Sequence, residues 1–160
     1  AQAREVLGLP LASSEDIALA LASGLAIGAF YVNLAGFLAD TPTVESIPVA
    51  SSRDASMFAW FLFALVIAPP VEEFLFRGVL QGVIDPLAGQ WLTIGAVTVA
   101  FAVVHLPETF NFGPALLGVA SMAVAAGWFR SQSRSLVPPI AVHLGYNMAL
   151  ASAVGASLWL

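Results

Sequence analysis

Long apolar runs separated by short polar breaks divide this chain, and the runs are long enough to predict helices that cross a membrane. Ala1–Asp16 is polar enough for a short interfacial segment, and Ser13-Ser14-Glu15-Asp16 offers an N-cap and first-turn acids to the next helix. Ile17–Ala39 is uncharged and predicts the first span. Within it, Gly24-Leu25-Ala26-Ile27-Gly28 is a small-xxx-small face that lets a neighbouring helix approach closely, and packing is its expected role. Asp40–Asp54, with Pro42, Pro48 and four charges, predicts a loop.

The second span starts near Ala55 and runs to Ile84, where Asp85-Pro86 is expected to stop it. At about 1.5 Å per residue it would be near 45 Å long, so a kink or break is expected at Pro69-Pro70. Trp91–His105 predicts a short third span, with an interfacial Trp at one end and Pro107-Glu108 beyond the other. Pro114–Phe129, mostly Ala, Gly, Ser and Val, predicts a tightly packed fourth. Arg130–Arg134 reads as a short basic loop, and Leu136–Leu160, with Pro138-Pro139 near its start, as the fifth span. The expected fold class is all-α, a polytopic transmembrane helix bundle of about five spans with a kinked, motif-bearing second span.

Composition agrees: of 160 residues, 59% are hydrophobic and 9% charged, and the mean hydropathy is +0.91. That is an integral membrane protein, with room for one membrane domain over residues 1–160. The chain starts at Ala1 and ends at Leu160 in apolar sequence, as a core cut from a longer protein would. No charged n-region and cleavage site precede the first span, so that span is expected to direct insertion itself. With no Cys, thiolate zinc sites and cysteine nucleophiles are excluded. The absence of Lys and a net charge of -5 argue against a nucleic-acid partner. Arg4, Arg77, Arg130 and Arg134 fall on one side of the five-span arrangement and Arg53 on the other, so the N-terminus is expected in the cytoplasm and the protein in the cell membrane.

Against this background the ionisable residues inside the spans stand out. A charge at mid-bilayer costs about 2.5–3.5 kcal/mol on insertion scales, and function is the default explanation for keeping it. The second span carries Glu72, Glu73 and Arg77. Glu73 and Arg77 are i and i+4 with the acid first, the favourable order for a supporting ion pair. Glu72 points about 100° away, with Phe76 at its i+4 position, which leaves it as the group available to react. The two histidines, His105 and His143, also lie in spans, and Asn147 shares a helix face with His143. Counted along their helices from the same side, Glu72 lies at about 18 Å, His105 at about 21 Å, His143 at about 11 Å and Asn147 at about 17 Å, one mid-membrane layer once tilt is allowed for.

A carboxylate, two imidazoles and an amide suit hydrolysis by an activated water. Glu72 with His105 would act on the water, and His143 with Asn147 would donate to the oxyanion. A zinc version remains open, with Glu72, His105 and His143 as ligands and a fourth position for water, although no HExxH spacing supports it and the metal-free form is favoured.

Three motifs carry a family resemblance. Glu72-Glu73-Phe74-Leu75-Phe76-Arg77 is an EExxxR motif, Phe101-Ala102-Val103-Val104-His105 an FxxxH motif, and His143-Leu144-Gly145-Tyr146-Asn147 an HxxxN motif. In this order, on three separate spans, they resemble the CPBP family, membrane proteins related to type II CAAX prenyl endopeptidases and to bacteriocin-processing or immunity proteins. The resemblance covers about residues 55–150. It implies an intramembrane endopeptidase with Glu72 and His105 on the water, His143 and Asn147 at the oxyanion, and Phe101, Glu73 and Arg77 in support. The implied partners are the lipid bilayer and a peptide or protein substrate, CAAX-like and lipidated or otherwise membrane-associated. It leaves room for a non-enzymatic immunity or scaffold protein of the same fold. A small transporter is the weaker alternative, since no inverted repeat is seen.

Overall fold

The computed structural model of the chain describes residues 11–38, 55–109 and 113–157. Most of the expected interfacial segment Ala1–Asp16 and the whole loop Asp40–Asp54 lie outside these residues. All regular structure among the described residues is helical: α1, Ser14–Leu38; α2, residues 55–88; α3, Gln90–Val104; a single turn, Leu106–Thr109; α4, Ala115–Ser133; and α5, Val137–Ser157.

α1 and the Ala59–Ala88 part of α2 are long and apolar enough to cross a membrane. α3 is apolar but spans only about 22 Å, so it ends inside a hydrocarbon core of about 30 Å. α4 and α5 hold more small and polar residues and form the centre, where Phe101 of α3, Met122, Ala123 and Ala126 of α4, and Val142 and Tyr146 of α5 are buried together.

Ser13 caps α1: its hydroxyl accepts the Asp16 amide at 3.0 Å and donates to the Asp16 carboxylate at 2.7 Å. The face that α1 buries is Ala20, Gly24, Gly28 and Ala35, all small. Between lipid-immersed helices association relies on close packing, and these residues let α1 lie against α5. A Cβ at Gly24 would run into the Val142 carbonyl oxygen, and one at Gly145 into the Leu21 carbonyl oxygen. We therefore expect Gly24→Val to destabilise the protein by roughly 1–3 kcal/mol. Thermal unfolding in detergent would measure it, and an unchanged midpoint would show that this contact is slack.

At Pro69-Pro70 α2 continues without a break. Ala68 bonds back five residues to Phe63, and residues Phe63–Ile67 form a π turn. The reason is the missing N–H of Pro69 and Pro70. With the Ala68 amide committed to Phe63 and none available from Pro69, the Ala64 carbonyl has no donor on its own helix, and Asn147 of α5 supplies one, Nδ2 to O at 2.8 Å. A second π turn spans Phe74–Leu80 and ends with the Gln81 amide on Phe76 O, while Arg77 O accepts from Arg130 Nε at 3.1 Å. Each π turn thus offers a main-chain carbonyl to a side chain of another helix.

Two expected boundaries move. Asp85-Pro86 does not end α2, which runs to Ala88 with Pro86 inside its last turn. The stop comes at Gly89, whose φ of 79° is readily adopted only by glycine. Nor is Arg130–Arg134 a loop: α4 continues to Ser133 because Arg130 is buried and bonded to α2, and the turn to α5 begins at Arg134, left-handed at φ 53°. Of the arginines counted for orientation, Arg77 and Arg130 therefore belong to the buried interior.

Candidate active site

Glu72, His105, His143 and Asn147 all line one cavity of about 270 Å³, together with Phe101. Its other walls are mostly aromatic and aliphatic, among them Tyr31, Trp60, Phe63, Tyr146 and Leu150, with Thr109 adding a hydroxyl. Glu73 and Arg77 lie behind it with fully buried side chains.

Each polar side chain is held by its helix for a local reason. His105 sits where α3 gives out, at φ -89° and ψ 0°, with Pro107 beyond and no amide there to continue the helix. Its Nδ1 lies 2.8 Å from Phe101 O. A carbonyl only accepts, so Nδ1 carries the proton and Nε2 is left facing the cavity. The FxxxH spacing brings together that carbonyl and a stacked ring: Phe101 and His105 have centroids 4.2 Å apart and planes 19° apart. The same Phe101 meets His143 edge-on at 5.9 Å and lies 4.7 Å beneath the Arg77 guanidinium.

His105 Nε2 is 3.6 Å from Glu72 Oε2, and His143 Nε2 is 3.9 Å from the same oxygen. Both separations are beyond a direct hydrogen bond. The two imidazoles therefore face the same Glu72 oxygen without bonding to it directly; that oxygen is buried, while the Glu72 side chain as a whole keeps 26% of its surface exposed.

Behind this rim lies a buried ionic layer. Arg77 Nη1 donates to Glu73 Oε1 at 3.0 Å, the i,i+4 pair the spacing predicts. His143 Nδ1 reaches the same oxygen at 3.0 Å, so confining Glu73 to Arg77 is incomplete, because helical spacing cannot show a contact with α5. Arg77 Nη2 donates to Ala123 O at 2.9 Å, and one turn further on Gln81 Nε2 donates to Gly127 O and Ser131 Oγ, both at 3.0 Å. Sequence reasoning missed Gln81 and Arg130. A signal existed for Gln81, since Glu73, Arg77, Gln81 and Asp85 form a polar stripe at four-residue intervals.

The donor types of Glu72, His105 and His143 would suit zinc, and their separations are slightly wider than a zinc tetrahedron's. Bonds of about 2.0–2.1 Å in a tetrahedron need donor atoms about 3.3–3.4 Å apart, less than the 3.6 and 3.9 Å found. Among the described residues no group of three His, Cys, Asp or Glu side chains is arranged to hold an ion.

Among the described residues, an all-helical bundle with two helices long and apolar enough to cross a membrane, and a carboxylate–histidine cluster lining a largely apolar cavity, has the layout of a polytopic membrane protein. A family model, Rce1-like type II CAAX prenyl endopeptidase, matches residues 54–149, the stretch that carries all three motifs. The chain belongs to that family, in agreement with the CPBP resemblance; it is a membrane protein, and its family is one of peptidases. No curated protein and no solved structure matches it significantly.

Proposed function

We propose that this protein is an intramembrane endopeptidase in which Glu72 and His105 activate a water and His143 and Asn147 hold the oxyanion. The observation that carries the reading is the convergence of Glu72 Oε2 with the Nε2 atoms of His105 and His143, at 3.6 and 3.9 Å, on the wall of an apolar cavity. A water at that point gives one proton to Glu72 while its oxygen bonds to the scissile carbonyl carbon, and His105 Nε2 accepts its other hydrogen. The carbonyl oxygen takes the displaced electron pair and is met by the Asn147 Nδ2 hydrogen not engaged with Ala64 O and by His143 Nε2, once the proton taken from the water has passed from Glu72 to that nitrogen. Collapse breaks the C–N bond, and the proton returns from His143 through Glu72 to the leaving amine. Tyr31, Trp60, Phe63 and Leu150 favour apolar residues around the bond, in a membrane-associated segment, CAAX-like or otherwise.

The test is cleavage of apolar-segment peptides by purified protein in proteoliposomes, in water enriched in heavy oxygen, with products read by mass spectrometry. The expected product is an internal cleavage whose new carboxylate carries the label. Equal cleavage by Glu72→Gln would remove Glu72 as base. The reading is metal-free, so dialysis against a strong chelator is expected to leave the rate within about two-fold. Loss on dialysis with recovery on added zinc would instead support the metal form.

A further inference from the structure

We propose that Glu73 is a positioning residue for His143. It fixes which ring nitrogen of that histidine faces the cavity, in addition to pairing with Arg77. This deepens the endopeptidase reading and rests on it for its catalytic consequence. Glu73 Oε1 lies 3.0 Å from both Arg77 Nη1 and His143 Nδ1, and all three side chains are 5% exposed or less. Arg77 can only donate, so Glu73 acts there as a carboxylate acceptor, and His143 Nδ1 must bring the proton to its own contact. Nε2 is then the atom turned to Glu72, 3.9 Å from Oε2.

Two different anchors thus produce one outcome. His105 is tied through Nδ1 to the Phe101 carbonyl and His143 through Nδ1 to the Glu73 carboxylate, so both rings offer Nε2 to the same side of Glu72. Phe101, stacked on one ring and edge-on to the other, blocks the tilt that would undo either bond. Glu73 differs from the carbonyl anchor in carrying charge. When His143 takes at Nε2 the proton that Glu72 removed from the water, and so becomes a donor to the oxyanion, its counter-ion is already bonded to the far nitrogen. The two adjacent acids therefore flank the same imidazole, Glu73 on its Nδ1 side and Glu72 on its Nε2 side.

The experiment uses the full chain with isotope-labelled histidine nitrogens, and because the sequence has two histidines their signals can be assigned by removing one. In the wild type His143 is expected as a single species protonated at Nδ1. In Glu73→Gln, whose amide can donate as well as accept, His143 is expected to lose that single form. The kcat is expected to fall at least about 10-fold with KM unchanged, as for an acid that orients a catalytic histidine. Glu73→Gln leaves Arg77 without its carboxylate and can fail to fold, so the same measurements are made on Glu73→Gln/Arg77→Met, which buries no unpaired charge at this pair. An unchanged His143 signal in a folded variant, or a loss confined to KM, overturns the proposal. The nitrogen signal needs no substrate, so absence of peptidase activity would sink the function while leaving the positioning decided separately.

Discussion

Glu72→Gln is expected to lower kcat by about 10²–10⁴-fold while leaving the protein folded and at normal abundance in the membrane. The amide has nearly the shape of the acid but cannot accept the proton of an attacking water. Gln is neutral, and the Glu72 side chain, unlike that of Glu73, is partly exposed and is not the carboxylate bonded to Arg77, so the exchange strands no buried charge. Asn147→Ala is a less clean probe. It takes away an oxyanion donor, worth about 10²–10³-fold where such donors have been removed. It also strips the Ala64 carbonyl of the hydrogen bond that compensates the π turn, at a cost of about 1–3 kcal/mol. Its loss of rate would therefore come with a lowered unfolding midpoint, and that of Glu72→Gln would not.

The same variant separates an enzyme from an immunity or scaffold protein of the same fold. Such a binder depends on its outer surface, and a one-atom change inside a cavity would leave its phenotype intact. Loss of phenotype with unchanged abundance and unfolding midpoint would favour the enzyme.

Much of this arrangement was legible in the sequence because lipid makes polar residues conspicuous. In an apolar run each of Glu72, His105, His143 and Asn147 costs energy and calls for a reason, and the structure brings all four to one cavity. Helix positions were legible for the same reason, and the errors lie where a residue's meaning depends on its neighbour. Arg130 looks like a loop cation until the Arg77 carbonyl, exposed by a π turn on another helix, turns out to accept from it. Pro86 looks like a stop, yet in the last turn of a helix it removes few hydrogen bonds, and Gly89 ends the helix instead. Spacing along one helix reports only that helix. It showed Glu73 with Arg77 and could not show Glu73 with His143, a contact across 70 positions of sequence.

Arg77→Met is expected to destabilise the protein by about 3–5 kcal/mol, and Glu73→Gln in the same chain is expected to restore most of that loss. The guanidinium is fully buried, bonded to Glu73 and to Ala123 O and stacked over Phe101, so it joins α2 to both α3 and α4. Removing it leaves the Glu73 carboxylate buried with His143 as its remaining partner, and a buried charge that has lost a partner costs far more than the pair contributed. With Gln at 73 as well, no charge remains to be compensated, and Met occupies much of the arginine's volume. Thermal or denaturant unfolding in detergent of the two single variants and the double measures the recovery. A double variant no more stable than Arg77→Met would mean that the Ala123 and Phe101 contacts of Arg77, and not its charge pairing, hold α2 in the bundle.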